Sequence, residues 1–232
     1  MGVPPAPIEA RQRFRINKSE AAMNLYQFML QNHTEVLELT LEHLWLVGIS
    51  TILAVLIGIP LGILITRYPA FNKPVLGGAN IIQTIPSLAL FGFLLPAPWI
   101  GERADRIAIL ALALYALLPM IRNTYVGIKG VDPAVIEAGR GMGLTDRQLL
   151  FQVELPLALG VIIAGVRVAT VISVGLATIA AAIGAGGLGE YIFRGLAMVN
   201  NQVILAGAIP AAVMALLADL SLGWLEKRLS PS

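Results

Sequence analysis

The sequence predicts an all-α membrane protein with about five transmembrane helices and a helical loop on the cytoplasmic side. The first observation is composition: 57% of the 232 residues are hydrophobic and 13% are charged, whereas about a quarter of a soluble domain is charged. The second is a mean hydropathy of +0.79. The third is that uncharged runs of roughly 20 residues, long enough to cross a bilayer as helices, fill most of the chain.

Composition also excludes several classes of function. The chain has no cysteine, which rules out disulfides, thiolate metal sites and thiol nucleophiles. Its net charge is +2, but the basic residues are spread over loops, which argues against nucleic acid as a partner. No HExxH, phosphate-loop or GxSxG motif occurs, and His33 and His43 lie before or at the start of the first span. We therefore expect no catalytic residue, metal or cofactor in this chain.

The predicted domain boundary lies at Met23. Residues 1–22 combine prolines with basic residues and contain no apolar core of a signal peptide, so we expect a disordered or interfacial tail. Residues 23–232 form the membrane domain, which begins with leucines at helical spacing among acidic residues. This pattern predicts an amphipathic helix ahead of the first span.

Five apolar runs are predicted to cross the membrane. In chain order they cover about residues 44–66, 75–95, 107–128, 157–183 and 203–225. The second run carries Pro86 beside Thr84 and Ser87. A proline inside a helix removes a backbone hydrogen bond, so we expect a kink there, with the neighbouring hydroxyls bonding freed carbonyls. The kink is either a hinge at a gate or a fixed bend for packing.

The fourth and fifth spans each carry a charged residue. Arg167 lies roughly 15 Å into the fourth span by helical rise, and Asp219 lies nearer the cytoplasmic end of the fifth. An unpaired charge inside a bilayer is costly, so Arg167 is expected to line a pathway or bridge subunits. The alternatives are a structural pair, for which Asp219 is one candidate, and a side chain that snorkels to a polar cavity.

Between the fourth and fifth spans, residues 184–202 are too rich in glycine, and too polar at their ends, to cross the membrane. We expect a re-entrant or surface element there.

Orientation is predicted from the loops, because Lys and Arg are enriched on the cytoplasmic side. With five crossings, one face holds Arg67, Lys73, Arg122, Lys129, Arg140, Arg147, Lys227 and Arg228. Outside the tail, the other face holds Arg103, Arg106 and Arg194. The basic tail nearly removes this bias, and translation starting at Met23 would restore it. Because charges far from a span weigh less, we place the C-terminus and the polar loop in the cytoplasm and the N-terminus outside.

The polar loop, at about residues 130–156, is the most informative segment. Asp132 followed by proline predicts the start of a helix that continues to Arg140, and Gly141 and Gly143 are predicted to break it. Thr145 predicts the cap of a second short helix, over residues 146–153, that stops before the next proline. Two short helices between long membrane helices would form a compact knob that can transmit force.

This loop resembles the coupling loop of ABC importer permeases. The family signature is Glu-Ala-Ala, three residues, Gly, nine residues, a β-branched apolar residue, one residue and Leu-Pro. At or beside those positions the chain has Glu137, Ala138, Gly139, Gly143, Leu144, Val153, Leu155 and Pro156. Gly139 replaces the second alanine, which should loosen the first short helix by up to about 1 kcal/mol. A generic helical hairpin is the alternative.

Three further segments resemble the osmoprotectant uptake branch of that family, which imports quaternary ammonium compounds. They are Ile81 to Leu90, Leu118 to Asp132 and Ile183 to Leu196. The resemblance extends over almost all of residues 23–229.

The resemblance implies a type I ABC importer permease fold in the bacterial cytoplasmic (inner) membrane. It implies a second permease subunit, identical or homologous, an ATP-binding subunit dimer that holds ATP and Mg²⁺, and an external substrate-binding protein. The loop would dock on the ATPase, and Tyr191 and Phe193 would contact the binding protein. The pathway or gate would include Thr84, Pro86, Ser87, Arg167 and Asp219.

Only 6% of the chain is aromatic, so an aromatic cage for a cationic osmolyte is expected in the binding protein instead. The nearest competing interpretation is a permease of the same fold for another small solute, such as an amino acid. More distant interpretations are a self-contained channel, a secondary transporter and a membrane scaffold.

Overall fold

The computed structural model describes residues 25–96 and 103–230, and every regular element in those two ranges is a helix. The predicted tail, residues 1–22, lies outside the described residues. The helices are α1 (25–31), α2 (His33–Arg67), α3 (Asn72–Thr84), α4 (Ser87–Leu94), α5 (Ala104–Lys129), α6 (Pro133–Gly141), α7 (Asp146–Leu149), α8 (Leu155–Ala180), α9 (Gly189–Ala197) and α10 (Asn201–Leu229).

Helices α2 and α5 run in the same direction. Near their starts, Glu42 of α2 and Asp105 of α5 line one cavity. At their ends, Arg67 of α2 and Lys129 of α5 line another. The chain must therefore return across the bundle between them, and α3 and α4 provide that crossing. With α8 and α10 this gives five crossings, with residues 130–156 at one end and α9 at the other.

The return crossing is broken between Thr84 and Ser87, where α3 and α4 meet at an angle of 99°. The sequence predicted a kink within a span at 75–95, but Ile85 and Pro86 are both extended, with ψ of 127° and 135°. A residue before proline is disfavoured in the helical region, which explains a full break. The freed carbonyl of Ile85 accepts a hydrogen bond from the Tyr115 hydroxyl, and Thr84 Oγ1 donates to the carbonyl of Ile81 at 2.7 Å.

The interhelical loop ends differently from the prediction. The sequence indicated that the second short helix would stop before Pro156, but α7 continues through a π-helical segment, Leu150–Glu154, directly into α8. The amide of Leu155 donates to the carbonyl of Leu150, five residues back. This wider turn inserts an extra residue, and Pro156 then stands in the first turn of α8, where proline is tolerated. Loop and membrane helix are therefore one continuous element.

Small residues hold the crossings close together. A Cβ atom placed on Gly62 of α2 would lie 2.5 Å from Thr124 Cβ of α5. One on Gly127 of α5 would lie 3.2 Å from Ala158 Cβ of α8. Membrane helices gain little from hydrophobic burial against one another, so close backbone approach and van der Waals contact stabilise such crossings.

The predicted re-entrant or surface element is a helix packed between α8 and α10. Gly184, Gly186 and Gly187 have positive φ angles, which turn the chain from α8 into α9. Gly195 then packs on Ile204 of α10. The predicted lead-in helix is divided at Asn32: residues 25–31 form α1, whereas residues 33–43 are the first part of α2. Its acidic residues reach the α9 end of the bundle.

Candidate functional site: the interhelical loop and the charges of the bundle

The loop begins with a capped helix. The Asp132 side chain accepts a hydrogen bond from the amide of Ala134 at 2.8 Å, and proline occupies the first helical position of α6. At the other end, the amide of Leu144 donates to the carbonyl of Gly139 at 3.1 Å, and that of Gly143 to Arg140 at 2.9 Å. These two bonds form the Schellman motif that commonly ends helices.

Gly143 is required by backbone conformation. Its φ is +82°, in the left-handed region that side chains with a Cβ disfavour. A Cβ atom built there would meet no described atom within 4 Å. Within this chain the glycine therefore ends the helix and does not relieve crowding.

The second short helix folds back on the first. Thr145 and Gln148 form a reciprocal capping box at the start of α7. The side chain of Leu149 is buried against α6, and a Cβ on Gly139 would lie 2.8 Å from its Cδ2 atom. Gly139, which replaces the second alanine of the signature, therefore lies at a close contact between α6 and α7. This contact is a second consequence of the glycine, beside the lower helix stability expected from the sequence.

The loop presents apolar side chains on its surface. Met142 is 77% exposed and Phe151 is 57% exposed. Glu137 and Ala138 of the signature are also exposed, whereas Val153 is half-buried. These two large apolar side chains were not singled out from the sequence, and their exposure is visible only in the structure.

An ion pair ties the loop to the first crossing. Arg67, the last residue of α2, donates from both terminal guanidinium nitrogens to Glu154 at the end of the π-helical segment. The Glu154 side chain is 6% exposed and that of Arg67 is 32% exposed. From the sequence, Arg67 served only as a basic residue that predicts orientation, and Glu154 was not singled out. Their separation along the chain gave no local pattern to detect.

Arg167 and Asp219 do pair, which the sequence left open. Arg167 Nε lies 2.6 Å from Asp219 Oδ1, and Nη2 lies 2.9 Å from Oδ2. Arg167 Nη1 also donates to Glu226, at 3.2 Å. The three side chains remain partly exposed at the α8–α10 contact, and with one cation and two carboxylates the cluster has a formal charge of −1.

The residues expected to line a pathway fall on two different helix pairs. The break at Pro86 packs on α5 through Tyr115, whereas Arg167 bonds to α10. Thr84 and Pro86 are exposed and Ser87 is half-buried.

At the opposite end, α9 is fastened to α2. The Tyr191 hydroxyl donates to Glu35 Oε2 at 2.9 Å, and Arg194 Nη1 donates to Glu35 Oε1 at 2.8 Å. Burial, followed by the bond to Glu35, raises the pKa of Tyr191, and the bond to Glu35 raises the pKa of Arg194. Tyr191 is fully buried, so the expectation that it contacts a partner is corrected. Phe193 is 40% exposed, so its side chain is accessible to a partner.

No metal site emerges from residues 25–96 and 103–230, where no three His, Asp or Glu side chains are grouped to hold an ion. Five helical crossings, with a two-helix loop between the third and fourth, define a multi-pass membrane protein. Comparison with known proteins makes this class specific.

The chain belongs to the family of binding-protein-dependent transport system inner membrane components, whose model matches residues 58–231. It is 44% identical over 204 residues to the carnitine transport permease protein OpuCB of Listeria monocytogenes, covering 88% of this chain and 92% of that protein. It is 46% identical over 213 residues to the glycine betaine/carnitine/choline transport system permease protein OpuCD of Bacillus subtilis, covering 91% and 92%. The osmoprotectant import permease protein OsmW of Salmonella typhimurium is 42% identical over 211 residues, covering 90% and 98%.

Solved structures confirm the predicted fold. The chain aligns with a subunit of the inward-facing methionine ABC transporter MetNI with a TM-score of 0.75, covering 88% of this chain and 99% of that one. Sequence identity in that alignment is 23%, so the likeness establishes the type I ABC importer permease fold and nothing about the solute.

Proposed function

We propose that this chain is the permease subunit through which an ABC importer moves osmoprotectants, such as glycine betaine, carnitine or choline, into the cell. The observation that carries the proposal is the capped, two-helix loop that bears the family signature and continues without a break into α8. Three relatives that match nearly their whole length are named for transport of these solutes, which supports the substrate class.

The loop is proposed to dock on an ATP-binding subunit in the cytoplasm. The exposed side chains of Met142 and Phe151 supply apolar contact area, and Glu137 is an exposed acid on the same loop. The loop must engage the ATPase differently in its two states, because equal binding to both would not shift the equilibrium between them. ATP and Mg²⁺ would be held by the ATPase dimer, so this chain would carry out no chemical step.

The pathway is proposed to form between this chain and a second permease subunit, identical or homologous. The half-exposed Arg167 and Asp219 would face it or bridge the subunits, because a charged cluster at that depth requires water or a polar partner. The break at Pro86 would supply the gate, with Thr84 and Ser87 beside it. At the extracytoplasmic end, Phe193 would contact the binding protein, which would select the solute.

Uptake into proteoliposomes tests the proposal. The complete complex, with its ATPase, second permease and binding protein, is supplied with labelled betaine, carnitine, choline and methionine in separate assays. ATP-dependent uptake of at least one quaternary ammonium compound, without uptake of methionine, is expected. Uptake of methionine alone would establish the amino-acid alternative, and uptake without ATP or ATPase would establish a secondary transporter or channel.

Docking of the loop is tested separately by crosslinking. The single-cysteine variants Met142→Cys and Phe151→Cys should crosslink to the ATPase. The crosslink is specific within this chain, because its sequence contains no other cysteine. A cysteine at Phe193 should label from outside the cell and should not reach the ATPase. Labelling of the Met142→Cys variant from outside the cell would contradict the proposed orientation.

A further inference from the structure

We propose that Arg67 and Glu154 form a tether through which movement of the loop is transmitted to the first crossing. Both would be positioning residues for coupling, acting through the helices they join. The inference rests on the proposed function of the loop as the ATPase contact. It adds a route from that contact into α2, which the signature of the loop does not contain.

The geometry joins parts of the chain that are far apart in sequence. Arg67 ends α2, and Glu154 ends the π-helical segment that continues α7 into α8. Arg67 Nη1 donates to Glu154 Oε1 at 3.2 Å, and Nη2 donates to Oε2. A two-point pairing of guanidinium and carboxylate fixes orientation as well as separation, which a single bond would not.

Burial keeps the pair closed. Glu154 is the one buried carboxylate in the described ranges, and its side chain is 6% exposed. A buried carboxylate that loses its cation is left uncompensated, which is strongly unfavourable. Arg67 is further stabilised at the carboxyl end of α2, where the helix dipole favours a cation. When either element moves, the other is therefore expected to move with it.

The surroundings make this link distinctive. Among residues 25–96 and 103–230, this is the one ion pair that joins α2 to the loop. Beside it lies a cavity of about 330 Å³, which α6 lines with Ile136, Glu137 and Arg140. Arg67 and Glu154 line the same cavity, so the space separates α6 from the end of α2 while the pair joins α2 to the π-helical segment.

The test removes both charges together. Replacing one partner alone would lower the stability of the protein as well as the coupling, so the two effects could not be separated. Replacing both partners of a buried pair by apolar residues is often neutral or stabilising. The variant Arg67→Met with Glu154→Met therefore removes the tether without leaving a buried charge. The matched control is Arg103→Met with Asp105→Met, which removes an exposed ion pair at the opposite end of the bundle.

Each complex is reconstituted with its ATPase, second permease and binding protein. Uptake of a labelled osmolyte that the wild-type complex carries (betaine, carnitine or choline) and ATP hydrolysis are measured in the same vesicles. The tether variant is expected to assemble, to melt near the wild-type temperature and to carry about tenfold less of that osmolyte per ATP hydrolysed. The control pair should keep the wild-type ratio. A wild-type ratio in the tether variant overturns the inference.

A second variant decides the question if the first fails to assemble. Arg67→Lys retains the charge but loses the two-point geometry, so an intermediate ratio of uptake to hydrolysis is expected. An unchanged ratio in this variant overturns the tether. A wild-type complex that carries none of the three osmolytes would instead refute the proposed function. If the wild-type complex does carry an osmolyte and the variant shows the same ratio of uptake to hydrolysis, the tether alone is refuted.

Discussion

Arg167 of α8 and Asp219 of α10 face each other in a two-point ion pair, with nitrogen–oxygen distances of 2.6 and 2.9 Å. The pair joins the last two crossings of the bundle, and Glu226 accepts a third bond from the same arginine. A charge placed between membrane helices is tolerated because opposite charges meet it at fixed geometry.

Removing the cation of this cluster should therefore destabilise the protein more than removing one carboxylate. Arg167→Met leaves both Asp219 and Glu226 without a cation, whereas Asp219→Asn leaves Arg167 paired with Glu226. We expect Arg167→Met to show the lower thermal transition in detergent. Asp146→Asn, at an acid whose side chain is 83% exposed, is the control and should leave the transition unchanged. An Arg167→Met variant as stable as Asp219→Asn would contradict this account.

Gly143→Ala should weaken the loop through backbone strain. Its φ of +82° disfavours any residue with a Cβ, at a cost of about 1–2 kcal/mol for a left-handed residue. Gly141→Ala is the matched control, because a Cβ there meets nothing within 4 Å and alanine favours the helix. Hydrogen exchange across α6 and α7 should accelerate in Gly143→Ala only, with less ATPase retained on purification. Equal exchange in the two variants would remove the conformational role.

Gly62→Ala should separate the first and third crossings. The added Cβ would lie 2.5 Å from Thr124 Cβ, and overpacking of this kind costs about 1–3 kcal/mol. Gly48→Ala, on the same helix, meets nothing within 4 Å and should be neutral or stabilising. Reversible unfolding in detergent–denaturant mixtures compares the two free energies of unfolding. A Gly62→Ala variant as stable as Gly48→Ala would show that these helices adjust freely.

Tyr191 should act as a packing residue with one added bond. Tyr191→Phe keeps the ring, which meets Phe28 edge-on at 5.8 Å between centroids, but loses the bond to Glu35, for a cost of about 1 kcal/mol. Tyr191→Ala also leaves a cavity and should cost about 3–5 kcal/mol. Thermal stability should therefore fall in the order wild type, Phe, Ala. A Phe variant as damaged as the Ala variant would mean that the hydroxyl contributes more than the ring.

The described structure shows where local sequence patterns were sufficient. The caps of the loop lie at the predicted residues, Asp132 and Thr145, because capping depends on side chains within three positions of the helix start. The predicted end of the second short helix was wrong, because the π-helical turn at Leu150–Glu154 carries α7 into α8 and Pro156 lies in the first turn of α8. At Pro86 the local effect was predictable, because a residue before proline disfavours the helical region. The partner of the freed Ile85 carbonyl was not predictable, because the Tyr115 hydroxyl that bonds it lies 30 positions away on α5.

By itself, the sequence determined that this protein is a helical membrane protein, which segments are apolar enough to cross, and that its loop carries the importer signature. Composition, periodicity and motif spacing are properties of neighbouring residues, so they can be seen without a fold. Only the tertiary structure decided that Arg67 meets Glu154, that Arg167 meets Asp219 and that Tyr191 is buried. Those contacts join residues separated by at least 52 positions, and their geometry exists only after the helices have packed.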